Sequence, residues 1–221
     1  DTTAAAACEI VADVCARVLG VAGPSGLPRE AATPAYLGIG TDTGWFRHAN
    51  VTPKAMRVAA DLLEAGVDHE DLFAMIEQRD KPSRLGLLQR ALASIEYHGD
   101  GAIAVMSLTR KDFEQTGASP GDSGGFLDVV RSVETIRVGA LLTEADPADT
   151  GGAMTKISFR SKGGHGMVHV NDVATSLGGG GHAQAAGARV HDTLPSAKRM
   201  VVAALCAAMG GEATPDAGAG A

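Results

Sequence analysis

"TSLGGGGHAQAAGARV", residues 175–190, decides how the second half of this chain is read. Four glycines run from Gly178 to Gly181, followed by His182 and small residues as far as Gly187. Glycine inside regular structure costs roughly 0.5–1 kcal/mol relative to alanine, so four in a row need a reason. A phosphate-binding P-loop would end in Gly-Lys-Ser/Thr, and His182 follows instead. Gly178, Gly180 and Ala183 formally fit a dinucleotide fingerprint, but that motif follows a strand and opens a helix. Here the amphipathic pattern of "VHVNDVATSL" (168–177) predicts a helix in front of it. A flexible linker would have polar borders, and Leu177 and the alanines after His182 are apolar. What is left is close approach of backbone to something. Either the run is a tight structural turn beside a solvated histidine, or its successive N–H groups cradle an anion with His182 as a side-chain partner.

Working outward, "ISFRSK" (157–162) alternates like a strand and puts Arg160 and Lys162 on one face by period two. Arg160 carries the planar fork that grips phosphate. His165, His169 and His182 follow within a short stretch. The net charge of −7 excludes a generic polyanion binder, so any nucleotide site must be a local basic cleft. The histidines have neither a His-Glu-x-x-His pattern nor cysteine partners, which argues against zinc. A third cluster, "GIGTDTGWFRHANVT" (38–52), sets Asp42 between two threonines at the end of an apolar run. A carboxylate so placed suits a hard divalent cation; it suits a helix cap or an Asx-turn equally well.

The chain opens on Asp1 as a helix cap before an apolar-periodic segment over 3–19, then a Gly/Pro-rich loop over 20–34. Thr52 caps a helix begun by Pro53 and ended before Gly66, and a short helix covers 68–79. Residues 81–98 read as a connecting helix. Beyond Gly99 the pattern becomes mixed: strands at "AIAVMSLT", "TIRVGALLTE", "AMTKISFRSK" and "AGARVHD", helices between them, and a closing helix at "LPSAKRMVVAALCAAM". Three cysteines without a CxxC pair read as reduced apolar fillers. No stretch approaches the ~18 apolar residues of a membrane span and no basic-then-apolar leader is present, so a cytoplasmic location is expected.

Taken together, these stretches resemble the DHH phosphoesterases. "GIGTDTGWFRHAN" is similar to the family's fourth motif, and "SFRSK" with "GGGGHAQAAG" resembles its C-terminal, DHH-associated domain. Order and spacing best fit the nanoRNase/pAp-phosphatase branch. The resemblance implies an α/β fold: a mostly helical C-terminal part of a DHH catalytic domain over 1–80, the connecting helix over 81–98, a smaller α/β substrate-binding domain over 99–209, and a disordered tail over 210–221. It implies two Mn²⁺ ions, a cleft between the domains, and a short RNA or nucleotide as substrate; a homodimer is compatible with it. It implies that Asp42 is a catalytic metal ligand. It also implies that Arg160, Ser161, Lys162, the backbone of Gly179, Gly180 and Gly181, and His182 hold substrate. The family's first three motifs, Asp-His-His included, do not occur here. The chain is therefore expected to be the C-terminal two-thirds of a family member, inactive alone, with a single metal ligand retained. The alternatives are a RecJ-like exonuclease, a cyclic dinucleotide phosphodiesterase, or a noncatalytic nucleic-acid-binding module.

Overall fold

Proline and apolar spacing place the helices, and β-branched runs place the strands. The computed structural model describes residues 4–210. It divides into two units, Asp1–Asp80 and Lys81–Ala221. The tail expected to be disordered falls almost wholly outside the described residues, as does the Asp1 cap.

The first unit is helical: α1 (Ala7–Val18), α2 (Arg29–Asp42), α3 (Pro53–Glu64) and α4 (His69–Glu77). Its core joins Ala12 and Ala16 of α1, Tyr36 and Ile39 of α2, and Val58 and Leu62 of α3. Thr52 caps α3 as the spacing predicts: its hydroxyl oxygen accepts the Ala55 N–H at 3.1 Å, and Pro53 takes the first helical position. The loop expected over 20–34 is only partly a loop, because α2 begins at Arg29 and runs through Pro34. An interior proline costs about 3 kcal/mol. Burying Tyr36 and Ile39, at 4% and 0% exposure, returns about 1.5–3 kcal/mol each, so burial outweighs the proline.

The second unit follows as α5 (Pro82–Ala93), β1 (Glu96–His98), β2 (Ile103–Leu108), α6 (Arg110–Thr116), α7 (Phe126–Arg131), β3 (Val138–Glu144), α8 (Pro147–Thr150), β4 (Thr155–Ser161), α9 (Val170–Ser176), β5 (Gly180–His182), β6 (Ala185–Val190) and α10 (Leu194–Ala208). The strands form one six-stranded sheet in the order β1-β2-β3-β4-β6-β5. β2 and β3 are parallel and every other pair is antiparallel. The parallel pair needs a crossover, and α6 and α7 supply it.

Residues 81–98 do not stand apart as a connector. Leu87 and Ala91 of α5 are fully buried in this unit, and Glu96–His98 is a strand on the sheet's edge. On one face of the sheet, Ile157, Phe159 and Ala186 pack with Val170 and Val173 of α9 and Val201 and Leu205 of α10. On the other face, Ala104, Met106 and Leu141 pack with α5 and with Phe126, Leu127 and Val130 of α7. That second core takes no residue from β4, β5 or β6. Among the described residues of this unit, half of one sheet face therefore has no hydrophobic core built on it, and it is the half that carries the glycine run.

Candidate functional site

Strand alternation divides "TKISFRS" between two environments. Thr155, Ile157, Phe159 and Ser161 are buried, while Lys156, Ser158 and Arg160 face the uncovered side. Register carries this outward row across the sheet. Arg160 stands opposite Ala185, which stands opposite His182; Ser158 stands opposite Gly187, which stands opposite Gly180; Lys156 stands opposite Arg189. Arg160 and His182 thus share a face, roughly 10 Å apart with one strand between them. Gly180 and Gly187 form a floor without side chains, in a depression of ≈ 420 Å³ that Lys156, Ser158 and Arg189 also line. A neighbouring hollow of ≈ 160 Å³ adds Arg160 and the loop leading into α7.

The glycines have a structural reason that the sequence does not reveal. A Cβ on Gly179 would lie 2.1 Å from the Gly187 carbonyl oxygen, and one on Gly181 would lie 2.6 Å from that of Ala185. The run must lie flush on β6. Its amides are largely engaged: Gly178 N–H donates to Thr175 O at 3.0 Å, Gly179 N–H to Ala174 O at 2.8 Å, and Gly181 N–H to Asn171 Oδ1 at 2.8 Å. A cradle of successive free amides is not what these residues form. They form a flat floor, and the charge above it comes from side chains.

Of the expected residues, Arg160, Gly180 and His182 come together on this face. Gly179 and Gly181 lie beside them. Ser161 does not: it is buried on the opposite side, 3.5 Å from the carbonyl oxygen of Ala183. The Lys162 ammonium donates to the carbonyls of Val133 and Glu134, so it ties down a loop instead of reaching over the floor. Lys156 and Arg189 were missed. The period-two count that singled out Arg160 would have reached Lys156 four residues earlier, but Arg189 needed the strand register. Asn171, which anchors Gly181, carried no sequence signal.

In the first unit Asp42 is the last residue of α2, exposed, and its carboxylate makes no hydrogen bond or ion pair among the described residues. Past Thr43 (φ −97°) the backbone turns left-handed for three residues: Gly44 (φ 56°), Trp45 (φ 55°) and Phe46 (φ 64°). For non-glycine residues this costs roughly 1–2 kcal/mol each, and such strain concentrates at functional sites. The turn is held from several directions. Trp45 Nε1–H donates to Glu77 at 2.9 Å, its ring packs edge-on against Phe73 at 5.1 Å, and Thr43 Oγ1 accepts the Phe46 N–H at 3.2 Å. The Asp42 main-chain oxygen accepts from Asn50 Nδ2 at 3.2 Å. Among the described residues no three potential ligands gather as a metal site. One carboxylate does not hold a divalent cation that takes about six oxygens, so these residues alone do not fit a Mn²⁺ centre.

No helix among the described residues is long and apolar enough to cross a membrane.

Residues 100–211 match the DHHA1 domain. A "Bifunctional oligoribonuclease and PAP phosphatase NrnA" of Thermus thermophilus is 39% identical over 72% of this chain and 44% of that protein. The protein of the same name from Bacillus subtilis is 26% identical over 75% of this chain and 49% of its own length. A "Probable bifunctional oligoribonuclease and PAP phosphatase NrnA" of Streptococcus mutans is 28% identical over 85% and 56%. The crystal structure of an exopolyphosphatase-related protein from Bacteroides fragilis superposes with a TM-score of 0.79 at 27% identity, covering 92% of this chain and 56% of that one. The chain spans about half the length of the curated relatives it matches.

Proposed function

We propose, for a chain that belongs to the DHHA1 domain family and is NrnA-like in sequence, that the protein carrying it is a Mn²⁺-dependent phosphoesterase. Its substrates are short oligoribonucleotides, 3′-phosphoadenosine 5′-phosphate, or both, and it acts in the cytoplasm. The observation that carries this reading is the uncovered, cationic sheet face, with Arg160 and His182 in one register row beside a glycine floor. That arrangement suits a nucleotide phosphate. The guanidinium binds two phosphate oxygens at once, and the imidazole adds a donor across the floor. A floor without side chains lets the sugar-phosphate backbone lie close to the strands.

In this reading the second unit binds and orients, and Asp42 contributes one carboxylate to the metal centre, whose other ligands come from outside the described residues. The reaction is phosphoester hydrolysis: water adds to phosphorus, the P–O ester bond breaks and the leaving oxygen takes up a proton, so that a short RNA releases a nucleoside monophosphate and 3′-phosphoadenosine 5′-phosphate releases inorganic phosphate. The test is release of adenosine monophosphate from 5′-phosphorylated diadenylate by the whole protein, with and without Mn²⁺. Asp42→Ala should lower turnover by roughly a hundredfold or more, the scale of several kcal/mol at the transition state. Undiminished turnover in the variant would remove Asp42 from the reaction. Metal-independent binding with no turnover in any form of the protein would favour a binding module.

A further inference from the structure

Beyond the glycine floor lies a second cavity, of ≈ 410 Å³, at the carboxyl ends of the parallel strands β2 and β3. It shares Lys156 and Arg189 with the depression over the glycines, so the two hollows meet at that pair. Its chemistry is different. Phe113, Pro120 and Met154 form its apolar walls, and Glu144 and Asp149 stand in its lining. Arg110 also lines it, already paired with acids of the protein. Its guanidinium pairs with Glu114 at 3.4 Å and Asp146 at 3.7 Å, and its main-chain N–H donates to the Glu144 carboxylate at 3.0 Å.

Lys156 and Arg189 are in the opposite condition. They are direct cross-strand partners, both exposed, and neither makes a hydrogen bond or ion pair among the described residues. Like charges set opposite one another destabilise a sheet, and among the described residues no hydrogen bond or ion pair is made to either of them. An anion between them would relieve the repulsion. From Arg160 to Lys156 the outward row spans four residues of extended strand, roughly 13 Å, which accommodates more than one phosphate.

We propose that this second cavity is a nucleobase subsite. On the reading that the floor beside Arg160 and His182 holds the 5′-phosphate, a following phosphodiester is held between Lys156 and Arg189. The base of a nucleotide beyond the second linkage then enters the cavity. Apolar walls stack a base without regard to sequence. The acids repel phosphate but accept hydrogen bonds from exocyclic amino groups. The subsite makes the protein a reader of length: a dinucleotide fills the floor alone, and a longer strand adds the cavity.

The experiment is calorimetric titration of the 221-residue chain with 5′-phosphorylated oligoadenylates of two and four nucleotides. The tetramer should bind roughly tenfold more tightly, the scale of one stacked base. Replacing the bases distal to the 5′-phosphate by abasic sugars should remove that advantage with the charge unchanged. Phe113→Ala should remove it too. Met154→Ser, on a half-exposed side chain whose loss threatens the fold less, should reduce it, while both variants bind the dimer as before. Equal affinity for dimer and tetramer, an abasic tetramer as tight as the normal one, or an undiminished advantage in both variants would each overturn the subsite. Failure of the wild-type chain to bind even the dimer would instead overturn the underlying phosphate-floor reading, and the subsite with it.

Discussion

At Gly179 a Cβ would meet the Gly187 carbonyl oxygen at 2.1 Å and the Ala188 Cα at 2.6 Å. Both are backbone atoms in a paired strand, so neither can rotate away. Gly179→Ala should therefore destabilise the second unit by about 1–3 kcal/mol, as overpacking does, read as a lowered urea midpoint in far-ultraviolet circular dichroism. A neutral result would mean that the run does not lie flush on β6. Asp192 supports a pH prediction at the same scale. Its carboxylate accepts from the Ser196 hydroxyl at 2.6 Å and the Thr193 N–H at 2.7 Å, and these bonds hold its pKa below the usual carboxylate range. A depressed folded pKa stabilises fully above the unfolded value of about 3.9 and loses that contribution as pH falls through the folded value. Thermal midpoints measured downward from about pH 6 should fall less steeply below about pH 4 in Asp192→Asn than in the wild type. Parallel curves would remove Asp192 from the acid response.

Between α2 and α3 the chain depends on side chains to hold an unfavourable backbone. Trp45 adopts φ 55° while its ring is fixed by Glu77 and Phe73. Trp45→Ala loses those contacts and keeps the strain, at about 2 kcal/mol for a half-buried aromatic. Trp45→Gly loses the same contacts but relieves the strain. The usual order should reverse, with the glycine variant more stable than the alanine variant by roughly 0.5–1 kcal/mol in thermal melting. Alanine above glycine would mean that the left-handed turn is not populated. Sequence showed this segment as turn chemistry around Asp42 but not its handedness, because neither Trp45 nor Phe46 is a residue type that favours positive φ. Nor did it show α2, where Pro28 and Pro34 read as punctuation, or β5, where glycines read as loop. In each case tertiary packing overrode a local signal. Thr52 and the alternating strand β4 were legible because cap chemistry and period two are properties of the sequence alone. Arg160 was legible for the same reason. The engagement of Lys162 and the burial of Ser161 depended on where the strand ends and which side is covered.

Residues 81–210 contain a complete six-stranded sheet with a hydrophobic core on each face. Expressed as residues 81–221, this unit should fold cooperatively by itself and keep its affinity for a 5′-phosphorylated dinucleotide; an unfolded product would show that it needs the first unit for stability. Net charge belongs to this scale as well. With −7 on the whole chain, binding of the proposed nucleotide substrate would have to rest on the few cations of one sheet face. The most direct test of the account is equilibrium binding of 5′-phosphorylated diadenylate to the 221-residue chain, compared with Arg160→Ala and His182→Ala. Each substitution should weaken binding by ~1.5–3 kcal/mol, the range of a charge-assisted hydrogen bond, with the fold unchanged. Affinity unaltered in both variants would contradict the assignment of the uncovered sheet face as the phosphate site.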